Sequence, residues 1–213
     1  MPTIIFFGPD GSGKSTLIKA LARGLHHRKC NVKISWMRGS HTLASLTAKI
    51  LSKFDSFKGS DNPYYNITVP KNLTRLWQFL EFLSALPIIL GEFLIPSLME
   101  YWVLADRYTL DLMVWISLAT NDKEFFKRLE ARVLIALAKR TCAKFYVTAN
   151  IEELKKRTAK LWFPEEQLRL YNRFAVAIDA YTIDTTNKSV DASFQEVLNA
   201  LNTVNPKIKL RND

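Results

Sequence analysis

Gly8-Pro9-Asp10-Gly11-Ser12-Gly13-Lys14-Ser15-Thr16 lies between the apolar run Thr3-Ile4-Ile5-Phe6-Phe7 and a segment carrying Leu17, Ile18, Leu21 and Leu25 at helical spacing. The nine residues fit the pattern G-x-x-x-x-G-K-[ST], and each position has a mechanical reason. Glycines let backbone N–H groups curl around phosphate oxygens. A lysine sets a cation between the terminal phosphates, and the following hydroxyl joins a magnesium shell. The preceding run reads as a buried parallel strand, and the following segment as a helix whose N-terminus faces the phosphates. A glycine-rich turn with a chance lysine would require neither neighbour. The stretch therefore predicts a nucleoside triphosphate site, with Gly8, Asp10, Gly11, Ser12, Gly13, Lys14, Ser15 and Thr16 around the phosphates and Ser15 at Mg2+.

Strand and helix continue to alternate downstream. Residues 32–37 read as a second strand ended by Arg38-Gly39, and 42–54 as a helix. Residues 55–72, with Gly59, Asn62, Pro63, Asn66 and Pro70, read as a loop long enough to suggest function. Residues 73–99 form an apolar helical stretch kinked or split at its prolines. A third strand over 101–105 ends at Asp106-Arg107-Tyr108, with helices near 110–119 and 123–139 after it. Residues 145–148 make a fourth strand, and a helix from Ile151 runs into the basic cluster Lys155, Lys156, Arg157 and Lys160. Beyond Pro164 come a helix over 165–180, a fifth strand over 181–184 and a closing helix over 193–204. This order predicts an α/β fold: a three-layer α/β/α P-loop NTPase with a five-stranded parallel sheet, in one domain over 1–213.

Bulk properties narrow the function. The 213 residues carry a formal charge of +10, but the basic residues are scattered, apart from the cluster at 155–160 and Lys207, Lys209 and Arg211. Phosphorylated small molecules are thus favoured over a nucleic acid polymer. Cys30 and Cys142 are far apart and form neither a zinc pattern nor a disulfide framework. The chain enters its first strand without the layout of a signal peptide, and a cytoplasmic location is expected. Residues 76–99 are long enough to span a membrane, with Glu81 and Glu92 their only charges. Pro87, Gly91, Pro96 and the cost of two carboxylates in lipid favour a buried helix pair or an apolar subunit interface, so no membrane partner is expected.

Asp106 ends an apolar strand, and in parallel sheets ligands gather at the carboxyl ends of strands. A carboxylate there can hold magnesium or accept a proton from an attacking oxygen, and Arg107 beside it offers a planar fork for phosphate. Asp10, inside the phosphate loop, needs a partner such as Arg38 or an acceptor hydroxyl. Asp10, Arg38, Asp106 and Arg107 all fall on one edge. The basic cluster before Leu161-Trp162-Phe163-Pro164 suits a lid over about 155–165, closing cations over a transferring phosphoryl group. A helix face with solvated lysines is the simpler reading of Lys155 and Lys156, while for Arg157 the two readings are even. Trp36 and Trp77 stand where an acceptor ring could stack, with core packing the simpler reading of both. His41 follows Arg38 closely and is read as a loop histidine.

Together the phosphate loop, the strand-ending Arg38, Asp106-Arg107-Tyr108, the basic lid after the fourth strand and Ile183-Asp184 before the last helix resemble the thymidylate kinase family of nucleoside monophosphate kinases. The resemblance spans nearly the whole chain. It implies a homodimer that transfers the terminal phosphate of ATP, with Mg2+, to a small-molecule nucleotide such as dTMP. By the same resemblance Asp10 meets the acceptor's sugar, Arg38, Arg107 and Tyr108 bind the acceptor, and Lys14, Asp106 and Arg157 are catalytic, Asp106 with Ser15 at the metal. The chain departs from the family in carrying Arg38-Gly39-Ser40-His41 where an Arg-Glu-Pro-Gly-like run is usual, and Val147-Thr148 at the end of the fourth strand. The position of the family's thymine-reading arginine falls near Leu86, and Arg75 lies too far upstream to replace it. Such a reader is worth about 10⁴-fold in discrimination, so its loss points to a different acceptor more than to lost phosphoryl transfer.

Two other readings stay open: a P-loop kinase acting on a nucleoside or non-nucleotide acceptor, and an ATP-binding pseudo-kinase. A GTPase is disfavoured, because Asn187-Lys188-Ser189-Val190-Asp191 has one residue too many for the guanine-reading motif and no Asp-x-x-Gly follows the third strand.

Overall fold

The computed structural model describes residues 2–158 and 162–204. Its elements follow in order as β1 (Thr3–Phe7), α1 (Lys14–His27), β2 (Val32–Trp36), α2 (Thr42–Leu51), β3 (Lys58–Asn62), α3 (Thr74–Ile88), α4 (Ile95–Leu98), β4 (Trp102–Asp106), α5 (Thr109–Ala119), α6 (Leu129–Lys139), β5 (Ala143–Thr148), α7 (Ile151–Arg157), α8 (Pro164–Ala177), β6 (Tyr181–Asp184) and α9 (Val190–Val204). Five strands make one parallel sheet in the order β2-β4-β1-β5-β6. The expected three-layer α/β fold is therefore present. β1 sits in the middle, paired with β4 on one side and β5 on the other. The strand order reverses there, and the loop after β1 opens into the crevice where ligands bind such sheets.

Alternation along β1 builds both cores. Ile4 and Phe6 join Leu17, Leu21 and Leu25 of α1 and Val197 and Leu201 of α9 on one face. Ile5 and Phe7 point the other way, into the larger core of Leu112, Trp115, Leu134 and Tyr171 from α5, α6 and α8. α5 is buried along its whole length, which explains a sequence apolar on every side.

Three elements differ from the sequence reading. Residues 58–62 are an extended segment bridged antiparallel to Ile67 rather than plain loop. Asn62 fixes the reversal by accepting the N–H groups of Tyr64 and Tyr65 on its side-chain oxygen. The helix expected over 123–139 is split: Lys123–Lys127 is a 3-10 turn capped by Asp122, and α6 begins only after the extended Arg128. The apolar stretch is a single helical run rather than a helix pair. α3 passes through a π-helical segment, Ile89–Leu94, into α4. Pro96 has no N–H for the carbonyl of Glu92 one turn earlier, and the Ser35 hydroxyl of β2 donates to that carbonyl at 2.8 Å instead. The run Lys71–Leu98 is long and apolar enough to cross a membrane. Trp77, Gln78, Glu81, Ser84, Ala85, Ile89 and Phe93 nevertheless form one inward stripe along it, while Leu76, Phe79, Leu83 and Leu90 face outward.

Candidate active site

The loop after β1 has the backbone that its glycines permit. Gly8, Gly11 and Gly13 all have positive φ. A Cβ on Gly8 would stand 2.1 Å from the carbonyl oxygen of Val147, so no larger residue fits beside β5. Lys14 opens α1 with its side chain turned back into the loop. Its ammonium donates to the Pro9 carbonyl at 2.5 Å and to Ser12 Oγ at 3.1 Å. The residue is 4% exposed. Burial, reinforced by the charge of Arg107, pushes its pKa down from 10.5 to about 7. Ser15 Oγ donates to Asp106 Oδ2 at 2.5 Å, which brings a hydroxyl and a carboxylate from two elements to one point.

Asp10 is held by two arginines. Arg38 Nη1 lies 2.5 Å from Oδ2, and Arg107 Nη2 pairs with Oδ1. Burial opposes ionisation of Asp10, but Arg107 and Arg38 outweigh it and keep the carboxyl below its ordinary range. Arg107 has φ 76, a left-handed conformation that costs a non-glycine residue roughly 1 kcal/mol or more. Three partners beyond Asp10 hold it there. Its backbone N–H donates to Phe6 O at 2.9 Å, and Nη1 donates to Gly8 O at 3.0 Å and Asp111 Oδ1 at 2.9 Å. Asp111 is in turn fixed by Tyr171 Oη at 2.9 Å and the Tyr108 N–H at 3.1 Å. The sharp turn after β4 thus aims Arg107 back across the phosphate loop.

Arg157 approaches from the opposite wall, at the end of α7. It pairs with Glu153 and donates to Thr185 Oγ1 at 2.9 Å and Thr185 O at 3.0 Å. Thr185 Oγ1 also reaches Ser12 O at 3.1 Å, tying the turn after β6 to the loop. A cavity of about 680 Å³ opens among these groups. Asp10, Gly11, Gly13, Lys14, Ser15, Thr16, Arg38, Asp106, Arg107 and Arg157 line it, with Trp36, Lys188, Ser189 and Ser193 beside them.

No family model matches this chain, and no curated protein matches it in sequence. Solved structures do. The thymidylate kinase of Candida albicans superposes with a TM-score of 0.62 at 16% identity, over 99% of this chain and 95% of that one. This is the thymidylate kinase fold. The thymidylate kinase of Ehrlichia chaffeensis also superposes, with a TM-score of 0.55 at 17% identity, over 93% of this chain and 97% of that one. In the same thymidylate kinase frame, most residues singled out from the sequence meet at one cavity, but not all. Gly8 and Ser12 shape the loop from behind. Tyr108 is buried against Phe93, with ring centroids 4.8 Å apart, and does not line the cavity. The reason is that the left-handed turn at Arg107 sends the next side chain into the core. Trp77 packs against Ala48 and Ile67 as a core residue, whereas Trp36 borders the cavity. Lys155 and Lys156 are solvent-exposed, while Lys160 and part of the expected lid lie outside the described residues. His41 stands edge-on to Trp36. Sequence reasoning missed Asp111, Thr185 and Glu81. Asp111 left a signal in its i,i+4 spacing from Arg107, and Glu81 in being a charge inside an apolar stretch.

Proposed function

We propose that this chain is an ATP-dependent kinase of the thymidylate kinase type, passing the terminal phosphate of ATP to dTMP or a related nucleoside monophosphate. The observation that carries the reading is the meeting, in one cavity, of the Lys14 and Ser15–Asp106 wall with the Asp10–Arg38–Arg107 cluster and Arg157. The first wall suits a polyphosphate, and the second suits a phosphorylated acceptor with a hydroxyl for Asp10. The Candida albicans relative in fold is noted for broad substrate specificity, which agrees with an acceptor other than dTMP in this chain.

The chemistry follows from positions and charges. An acceptor phosphate oxygen, oriented by Arg38 and Arg107, attacks the γ-phosphorus in line, and the bond to the β–γ bridging oxygen breaks to release ADP. Lys14 and Arg157 balance charge spreading over the transferring group. The hard oxygens of Ser15 and Asp106 fit Mg2+, which commonly takes one or two protein oxygens plus substrate phosphates. Among the described residues no cluster of three His, Cys, Asp or Glu offers a fuller metal cage. Bound there, Mg2+ would neutralise charge on the β and γ phosphates. The outward apolar residues of α2 and α3, including Leu43, Leu46, Leu76 and Leu83, are the face we assign to a homodimer.

The test is ADP release by purified protein given ATP, Mg2+ and a panel of nucleoside monophosphates, nucleosides and non-nucleotide alcohols. Turnover with a monophosphate that is abolished in Lys14→Ala is expected. ATP binding with no ADP formed from any acceptor favours the pseudo-kinase instead.

A further inference from the structure

Two residues beyond Arg38 the chain meets a second group of buried polar atoms, which phosphate chemistry leaves unused. Ser40 donates to Oε1 of Glu81 at 2.5 Å. Glu81 is 1% exposed, and the indole N–H groups of Trp115 and Trp77 face the same carboxyl. Neither Oε2 nor the N–H of Trp115, itself 1% exposed, reaches good hydrogen-bond geometry. A buried carboxyl oxygen without a donor costs on the order of 1–3 kcal/mol, more when charged, and most buried polar groups avoid that state. A buried carboxyl held by one hydroxyl and two imperfectly aimed indoles behind the acceptor arginine can exchange an indole for the N–H of a ligand.

The surroundings are aromatic. Trp115 is sandwiched between Tyr64, at 4.9 Å and 29° between planes, and Trp162, at 4.9 Å and 43°. Tyr64 is 56% exposed and belongs to the short excursion after β3, so it can swing outward while Trp115 stays fixed in α5. Gly39 runs along the same stack, and a Cβ there would come within 3.3 Å of Tyr64 and 3.5 Å of Trp115. Only a glycine at 39 lets the backbone pass this close to the rings, and the Glu81 carboxyl lies beside the same stack.

We propose that Glu81 reads the acceptor's ring, accepting a hydrogen bond from an N–H on the ring edge, while a flat base takes the place of Tyr64 against Trp115. The acceptor is then a nucleobase-bearing monophosphate selected by a carboxyl rather than by a guanidinium, and an alkyl or bare sugar phosphate is a poor substrate. Ser40 positions Glu81 through one oxygen, and the N–H of the base would replace an indole N–H at the carboxyl. The inference rests on the kinase reading above and adds to it the residue that chooses the acceptor.

The experiment uses the full chain, with calorimetry in the presence of a saturating non-hydrolysable ATP analogue for binding and, in a separate assay with ATP and Mg2+, ADP release for turnover. The probes are dTMP, dCMP, dAMP and dGMP, the N3-methylated form of dTMP, and ribose 5-phosphate. At least one nucleotide is expected to bind tenfold or more tightly than ribose 5-phosphate. Glu81→Met, of similar volume, is expected to weaken that nucleotide at least tenfold and to leave ribose 5-phosphate unchanged. If dTMP is the preferred ligand, N3-methylation should weaken it as much. The wild-type panel decides the matter even if the variant does not fold. Ribose 5-phosphate binding as tightly as every nucleotide would overturn the assignment, as would an unchanged ranking in Glu81→Met. ADP release with a non-heterocyclic acceptor alone would overturn this inference but spare the kinase. Absence of ATP binding would overturn both.

Discussion

On the proposed kinase reading, Lys14 should make nucleotide binding a proton-coupled event. In the ligand-free chain its pKa falls from 10.5 to about 7, because burial and Arg107 disfavour the cation. That fall corresponds to roughly 5 kcal/mol between the two protonation states. A polyphosphate seated in the loop places several negative charges beside the ammonium and restores its ordinary, charged form. At pH 8 only about a tenth of the free lysine is protonated, so binding one ATP should take up about 0.9 proton. The uptake should shrink to about 0.5 at pH 7 and about 0.1 at pH 6. Titration calorimetry in buffers of different ionisation enthalpy reads this number directly. ATP affinity should also fall about tenfold per pH unit above 7. The same depression acts on folding with a known sign. Between pH 7 and 10.5 the unfolded chain holds more protons at this residue, so the ligand-free protein should gain stability as pH rises through that window. An uptake near zero at pH 8, or one that does not decline towards pH 6, would refute the lowered pKa of the buried Lys14.

Asp10→Asn removes the anion shared by Arg38 and Arg107, and a loss of about 3 kcal/mol in stability is expected, read as a lower denaturant midpoint. Because its carboxyl is held below the usual range, Asp10 contributes stability above the unfolded pKa near 3.8 that is lost as pH drops through the lower folded value; the variant's acid transition should lack that component. On the kinase reading, in which the Arg157 fork balances charge on the moving group, Arg157→Ala should lower kcat about 10²- to 10³-fold with a smaller change in the KM for ATP. Light scattering should report a dimer for the wild type, and Leu83→Glu, at an outward position on α3, should shift it to monomer without loss of helical circular dichroism.

The sheet and the phosphate loop were legible because their causes are local. A five-residue apolar run, glycines at fixed offsets and a helical leucine stripe act through backbone geometry within about twenty residues, and β1, the loop and α1 appear where those signals stand. The Asp106-Arg107 pair was legible as a strand end, but not the left-handed turn that folds Arg107 back onto Gly8 and Asp10. Tyr108 was misplaced for the same reason, since adjacent residues on such a turn point apart.

By itself, then, the sequence determined the fold class, the glycine-rich loop between β1 and α1 and the charged residues gathered on one sheet edge, because propensity and periodicity are properties of neighbours along the chain. Only the tertiary structure decided that Asp10 is shared by two arginines, that Thr185 ties Arg157 to the loop, and that Glu81 is buried beside Trp115. Those pairings join residues from 28 to 173 positions apart. They exist because packing the sheet brings their elements together, and burial then gives each charge a consequence that spacing along the chain cannot show.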